Sequence, residues 1–393
     1  MKLRTFPTNT NIEGKRILIR IDANVPIVKG KVVDGPHGRI ARSALDINYL
    51  AHRGAKVIVI AHLGRPNGRR VPAYSLKPVA KRLSSLLGTT VKLSKDIVGA
   101  PVLKAVQNMK NGDILLLENI RFEKREETND ASFAKALAEL GDLYINDAFG
   151  VCHRAHASTY ALSEYLPSYA GPLLSNEVSV LSKLETQTKH PFVLVMGGVK
   201  IETKLPVIQR FATDADHILL GGALATTILA AQGYEVGKSV HDDNAKAVLA
   251  QLPKSVLEKI QLPLDVVVAS SLRADARVSV KMVEEIGPKD LVLDLGPKTI
   301  EQFTKTIRSA KTIVWNGPLG YCEMDAYRVG TKEVAQAIAQ RTGPAITIVG
   351  GGDTMPILEQ LNVADQFTLL STGGGAMLEY LANKTLPCIE ILS

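Results

Sequence analysis

The sequence predicts an α/β fold in two halves, each a parallel sheet covered on both faces by helices to give three αβα layers. Short apolar runs alternate with helical patterns along the whole chain, the order that builds parallel sheets buried on both sides. The runs of the first half end in Asp, Arg or His, whereas those of the second half end mostly in Gly. The length of 393 residues, with 46% hydrophobic content, is ample for packed cores and favours two domains over one.

In chain order, strand Arg16–Ile21 runs into Asp22-Ala23-Asn24, and Lys56–Ala61 into His62-Leu63-Gly64-Arg65. Asp113–Leu117 runs into Glu118-Asn119-Ile120-Arg121, and Leu143–Ile145 into Asn146-Asp147 ahead of His153-Arg154-Ala155-His156. Between them Ser75–Leu87 carries helical apolar spacing and stops at Gly88, while Asn129-Asp130 caps a helix over Ala131–Leu140 before Gly141. Ligands of open parallel sheets bind outside the carboxyl ends of the strands. Four such ends would gather Arg65, Arg121 and Arg154 with several histidines around one cavity, and guanidinium forks suit a small, highly charged phosphate or carboxylate. One arginine alone reads most simply as a surface salt bridge. Four basic positions placed after strands point instead to an anionic substrate.

Ser175–Lys189 is polar and helix-prone, with Asn176 as N-cap and Pro191 beyond its end, and reads as the connection between the halves. Beyond it, Phe192–Met196 leads into Gly197-Gly198-Val199-Lys200, Ile218–Leu220 into Gly221-Gly222, and Leu291–Leu295 into Gly296-Pro297-Lys298. Ile313–Trp315 leads into Asn316-Gly317-Pro318, and Ile346–Val349 into Gly350-Gly351-Gly352-Asp353-Thr354. Glycine after a strand lets the backbone approach a ligand, and the free N–H groups of the next helix suit phosphate, so this half reads as a nucleotide site. Gly233–Ser239 falls one residue short of a Walker A spacing and follows a helical segment, and no G-x-G-x-x-G follows the first strand. Asp353, standing alone after three glycines, also reads as a helix N-cap.

The net charge of +8 and pI near 9.2 raise nucleic-acid binding. With one Trp, eight Phe and ten Tyr, and no basic run interleaved with aromatics, that class is set aside. No apolar run reaches a membrane span and the N-terminus lacks an apolar signal core, so a cytoplasmic protein without membrane partners is expected. Cys152, Cys322 and Cys388 are odd in number and widely spaced, which predicts reduced thiols. Cys152 beside His153 reads as an inert neighbour rather than a nucleophile, and Trp315 as core. His156 reads as ordering its loop, His190, His217 and His241 as solvated or satisfied, and Glu126-Glu127 as an exposed acidic turn.

Arg20-Ile-Asp-Ala-Asn-Val-Pro26, His62-Leu-Gly-Arg-Pro66, Leu116-Leu-Glu-Asn-Ile-Arg-Phe122 and Asn146-Asp-Ala-Phe-Gly150 with His153-Arg-Ala-His-Ala-Ser158 fill the first half. Trp315-Asn-Gly-Pro318, Gly350-Gly-Gly-Asp-Thr354 and Ser371-Thr-Gly-Gly-Gly375 follow in the second. Taken together and in order, these motifs make the chain resemble the phosphoglycerate kinase family over essentially its whole length. The resemblance implies two Rossmann-like three-layer αβα domains separated by a hinged cleft. Residues 1–171, with a returning tail of about 372–393, would bind 3-phosphoglycerate; 172–190 would form the interdomain helix and hinge; and 191–371 would bind nucleotide.

The implied reaction is reversible in-line phosphoryl transfer between MgATP and the carboxylate of 3-phosphoglycerate, giving 1,3-bisphosphoglycerate and ADP. That carboxylate is already ionised at pH 7, so no general base is required, and alignment with charge stabilisation carries catalysis. By similarity, Arg39 and Lys200 approach the transferring phosphoryl group as the domains close. Asp22 and Asn24 contact the substrate's hydroxyl and carboxylate, and His62, Arg65, Arg121 and Arg154 cradle its phosphate. Lys204 and Thr354 with the Gly351-Gly352 backbone meet nucleotide phosphates, Gly221, Gly222 and Gly296 line the adenine pocket, Asn316 joins the nucleotide site, Glu323 takes the ribose, and Asp353 takes Mg²⁺. A monomer with no dedicated nucleic-acid partner is expected.

Val33-Asp-Gly-Pro-His-Gly38 is longer than the family's short acidic turn before Arg39, and Val199 and Glu202 replace a smaller residue and Ser while both lysines keep their spacing. A different small-carboxylate kinase and a non-catalytic nucleotide- or RNA-binding protein on the same scaffold are the alternatives. Loss of the cradle residues would mark the first and loss of Lys200, Lys204 or Asp353 the second; all are present.

Overall fold

Residues 16–20, Arg-Ile-Leu-Ile-Arg, form the central strand β1 (Arg16–Arg20) because their apolar side chains serve two cores at once. Ile17 and Ile19 point into one buried cluster and Leu18 into another on the opposite face. Each such side chain, removed from water, stabilises by roughly 1.5–3 kcal/mol. The computed structural model describes residues 2–199, 201–242, 244–250, 252–273 and 276–393, without the side chains of residues 185, 201–203, 245 and 248. It divides into two units, Met1–Ser179 with Asn383–Ser393, and Val180–Ala382.

In the first unit, a small hairpin of β2 (Ile27–Val28) and β3 (Lys31–Val32) precedes helix α1 (Arg39–His52). Then come β4 (Lys56–Ile60), α2 (Lys77–Leu87), β5 (Val91–Leu93), α3 (Ala100–Gln107) and β6 (Ile114–Leu116). α4 (Ala131–Ala138), β7 (Leu143–Asn146), β8 (Ser168–Ala170) and the start of α5 (Pro172–Thr186) follow, and α14 (Pro387–Ile391) returns from the far end of the chain. The sheet order is β5-β6-β4-β1-β7-β8, with every pairing parallel. The chain moves outward from β1 on one side and then crosses to β7 on the other, so the topological switch lies at β1. Register aligns Arg20 with Ile60 and with Asn146, which brings the loops after three strands to one edge.

The helix ends show where local sequence signals compete with long-range ones. Asp130 caps α4, accepting from the Phe133 amide at 2.9 Å, and Gly88 closes α2 at φ +63°, both as the sequence predicts. α5 begins at Pro172 instead of near Asn176. The Asp147 carboxylate accepts from the Leu173 and Leu174 amides at 2.8 and 3.3 Å, so a residue far back in the chain supplies the cap. In the long turn before Arg39, Asp34 accepts from the Ile40 and Ala41 amides at 3.2 and 2.9 Å and caps α1. A Cβ at Gly38 would overlap that carboxylate, which accounts for the glycine there.

The second unit is built on β9 (Phe192–Met196), β10 (His217–Leu220), β11 (Ile260–Gln261), β15 (Thr312–Asn316), β16 (Ile346–Gly350) and β17 (Leu369–Ser371). The order is β11-β10-β9-β15-β16-β17, again wholly parallel, with the switch between β9 and β15. Helices α6 (Ile201–Arg210), α7 (Gly222–Ala231), α8 (Ala245–Leu249), α9 (Lys254–Leu257), α10 (Pro297–Ser309), α11 (Val329–Ala339), α12 (Met355–Gln360) and α13 (Gly374–Asn383) connect the strands. One strand departs from expectation. Leu291–Leu295 (β14) joins β12 (Asp265–Ala269) and β13 (Val278–Met282) in a separate antiparallel sheet of order β13-β12-β14. An apolar run of five residues does not reveal which sheet it will pair with. Trp315 is fully buried, and no helix among the described residues is long and apolar enough to cross a membrane.

Candidate active site

At the switch point of the first unit, a cavity of about 250 Å³ is lined by Asp22, Asn24, Arg39, His62, Arg65, Arg121 and Arg154, together with Gly64, Gly150, Val151 and His153. The structure therefore brings together all seven residues expected on the substrate side. They come from the loops after β1, β4, β6 and β7 and from the first residue of α1.

Asn119 and Glu118, which do not themselves line the cavity, hold these loops together with contacts among the lining residues. The Asn119 side chain donates to the carbonyls of Leu63 and Tyr74 at 2.8 and 2.9 Å and accepts from the Leu63 and Arg121 amides at 3.3 and 3.1 Å. Glu118 accepts from the Ser75 hydroxyl and the Leu76 amide, both at 2.8 Å. Asn24 Oδ1 accepts from the Gly64 amide at 2.9 Å, so its carbonyl oxygen ties the first loop to the second. Arg39 Nη1 donates to the Asn24 carbonyl at 2.7 Å and lies 3.3 Å from an Asp22 carboxylate oxygen. Arg121 donates from Nη1 to the Gly64 carbonyl at 2.9 Å, with its Nε 3.3 Å from Glu127. Arg65 stays exposed at the rim.

The positive charge of this cavity at pH 7 is carried by guanidinium. Burial, followed by the field of the arginines, holds His62 well below its ordinary range. The same causes lower His153 to about 4 and His156 to about 3. Arg121 is lowered by burial to about 10 and remains a cation. Cys152 is fully buried and its thiol is pushed far up, first by burial, which leaves it without nucleophilic character at pH 7.

Glu126 corrects the expectation of an exposed acidic turn, because it is fully buried. Its carboxylate accepts from the Ser158 amide and hydroxyl at 2.9 and 2.7 Å. Glu127 is exposed as expected, with its carboxylate 3.3 Å from Arg121 Nε.

In the second unit the strand ends meet through backbone. The Gly197 amide donates to the Asn316 carbonyl at 2.9 Å, Gly221 to Met196 at 3.0 Å and Gly222 to Leu319 at 2.9 Å. The Asn316 side chain donates to the Gly350 carbonyl at 3.0 Å. A Cβ on Gly197 would overlap the Pro318 carbonyl, and Gly222 sits at φ +62°, so both positions require glycine. Lys204, on α6, brings its ammonium beside Gly198. Gly351 lies at φ +127°, Gly352 and Asp353 are exposed, and Thr354 is fully buried with its hydroxyl unpartnered. Thr354, and not Asp353, occupies the N-cap position of α12, so the N-cap reading of Asp353 does not hold.

Gly296 packs against the Asp265 carboxylate, which also accepts from the first turn of α10 at Lys298 and Thr299. Glu323 is exposed on the loop after β15. Gly222, Leu319 and Leu295 border a gap of only about 10 Å³. Lys200 lies outside the described residues. Among the described residues no three His, Cys, Asp or Glu side chains converge as a ready-made metal cage.

Two parallel α/β units, one holding a basic cavity of about 250 Å³ at its switch point, have the architecture of a phosphotransferase of the kinase class. The model of the phosphoglycerate kinase family matches residues 8–384. The phosphoglycerate kinase of Thermosipho africanus is 45% identical over 389 residues, covering 98% of this chain and 96% of the relative. That of Dictyoglomus turgidum is 44% identical over 385 residues, covering 97% and 96%. The solved structure of phosphoglycerate kinase from Coxiella burnetii superposes with a TM-score of 0.80 at 39% identity, covering 98% of this chain and 97% of that one. The chain belongs to the phosphoglycerate kinase family and carries its activity, a glycolytic phosphoryl transfer.

Proposed function

We propose that the first unit binds 3-phosphoglycerate and the second binds ATP or ADP with magnesium, in a monomeric cytoplasmic enzyme. The convergence of Asp22, Asn24, Arg39, His62, Arg65, Arg121 and Arg154 on one cavity carries this reading. His62, Arg65, Arg121 and Arg154 hold the substrate's phosphate, and Asp22 and Asn24 address its hydroxyl and carboxylate. The substrate carboxylate attacks the γ-phosphorus in line, the bond to the ADP oxygen breaks, and no proton moves. Arg39 from the first unit and Lys200 from the second neutralise charge on the transferring group.

Lys204, Thr354 and the Gly351-Gly352 backbone hold nucleotide phosphates, with Asn316 shaping their floor. Gly221, Gly222 and Gly296 border the base, and Glu323 takes the ribose hydroxyls. An exposed Asp353 carboxylate beside the orphaned Thr354 hydroxyl is a hard-oxygen donor set that fits Mg²⁺, which takes one or two carboxylates plus phosphate oxygens. When bound, the ion supplies positive charge to the phosphate oxygens.

The test is a coupled assay with 3-phosphoglycerate, ATP and Mg²⁺ in which an NADH-linked dehydrogenase consumes the acyl phosphate. Magnesium-dependent turnover that saturates in 3-phosphoglycerate supports the assignment. Folded protein that turns over another small carboxylate in preference would overturn it.

A further inference from the structure

Behind the cavity lies a buried chain of polar groups to which the phosphoryl-transfer reading gives no role. Arg20, the last residue of β1, is 1% exposed. Its Nε donates to Ser158 Oγ at 3.0 Å, and Ser158 Oγ donates onward to Glu126 at 2.7 Å. Nη1 donates to the Ile21 carbonyl, and Nη2 lies 3.1 Å from Nδ1 of His62. An arginine has five N–H donors and no acceptor, so that last contact is a hydrogen bond only if Nδ1 offers its lone pair. A neutral imidazole with an unprotonated Nδ1 carries its proton on Nε2.

We propose that Arg20 is a positioning residue that locks His62 as the Nε2–H tautomer, so that His62 gives the anionic substrate one neutral hydrogen-bond donor and never a charge. The proposal deepens the cradle reading and rests on it for the identity of the ligand. Glu126 completes the device: it accepts from the Ser158 hydroxyl that in turn accepts from Arg20 Nε, and so anchors Arg20 from behind. Burial, and then the charges of Arg20, Arg121, Arg39 and Arg154, oppose a second ring proton on His62; Arg65 adds a further cation to the cavity, and Asp22 is the one carboxylate among its lining residues. His153, on the same cavity wall, has the opposite arrangement. Arg154 Nε donates to its Nε2 at 3.0 Å, which places the His153 proton on Nδ1. The two histidines are thus mutual controls.

The test is nitrogen-15 NMR of the full-length, histidine-labelled protein from pH 5.5 to 8, with and without 3-phosphoglycerate. The expected spectra show His62 with Nδ1 unprotonated and Nε2 protonated across the whole range, His153 with the reverse pattern, and a 3-phosphoglycerate-induced shift at His62 Nε2–H. Arg20→Lys, which keeps a donor, should preserve the His62 pattern. Arg20→Met should mix the tautomers and raise KM for 3-phosphoglycerate about tenfold, the worth of one hydrogen bond to a charged group. The wild-type spectra decide the matter even if Arg20→Met fails to fold. A His62 proton on Nδ1 overturns the inference and leaves the cradle intact if 3-phosphoglycerate still saturates turnover. A correct tautomer with no response of either histidine, and no saturation by 3-phosphoglycerate, overturns the cradle reading and the inference with it.

Discussion

On the proposed assignment, the two strand-end sites solve anion recognition in opposite ways. In the first unit, long cationic side chains reach into the cavity and are steered by neighbouring polar groups: buried Asn119 holds the loop of His62, the Asn24 carbonyl accepts from Arg39, and the Gly64 carbonyl accepts from Arg121. In the second unit, side chains are mostly withheld, and the strand ends approach so closely that Gly197 has no room for a Cβ. Side-chain recognition concentrates full charges where a compact anion needs them, at the cost of ordering long side chains. Backbone recognition offers weaker dipoles at fixed positions with little left to order. Damage should therefore look different on the two sides.

The largest effect is expected from Arg39→Ala, which should lower kcat by about a hundredfold or more while KM for 3-phosphoglycerate changes far less, because the proposed mechanism has its charge act on the transferring group. Wild-type turnover in that variant would remove Arg39 from catalysis. Arg65→Ala should mainly raise KM for 3-phosphoglycerate, by roughly 10- to 100-fold for one charge-assisted contact, and titration calorimetry with 3-phosphoglycerate would read this directly. On the glycine side, Gly197→Ala should weaken nucleotide binding and lower stability by about 1–3 kcal/mol, with 3-phosphoglycerate affinity held. If affinity for 3-phosphoglycerate fell in parallel, the two sites would not be separable in this way.

A separate effect, on stability alone, concerns pH. His153 and His156 are held at about 4 and about 3 in the folded protein, against 6.5 for an unperturbed histidine. Between those values and 6.5 the unfolded chain binds protons that the folded chain refuses. The stabilisation is complete above 6.5 and is lost as pH falls toward 4 and then 3, at no more than about 1.4 kcal/mol per pH unit for each histidine. Urea midpoints measured across pH 4–7 should show this slope, and His153→Gln with His156→Gln should reduce it, leaving the share of His62, which is lowered by the same causes. An unchanged slope would assign the loss of stability to other groups.

Much of this was legible along the chain. Strand ends, capping Asp130 and the run of Arg and His after strands are local signals, and parallel topology follows from the alternation of elements. What escaped are the features set by distant pairing. Glu126 looks solvated until Ser158 folds over it, α5 takes its cap from Asp147 instead of Asn176, and Leu291–Leu295 finds antiparallel partners. One missed signal stood in plain view: Arg20 follows three consecutive apolar residues at the carboxyl end of its strand, and a charge at the buried end of a strand requires a buried partner.

The tail Asn383–Ser393 belongs to the first unit, where the Cys388 amide donates to the Cys152 carbonyl at 3.3 Å, next to the loop that carries His153 and Arg154. On a ribosome this has a temporal meaning. The basic cavity's last supporting segment emerges only after the entire second unit has been synthesised, so a nascent chain cannot finish its anion site early, and C-terminal truncation should injure the residues made first.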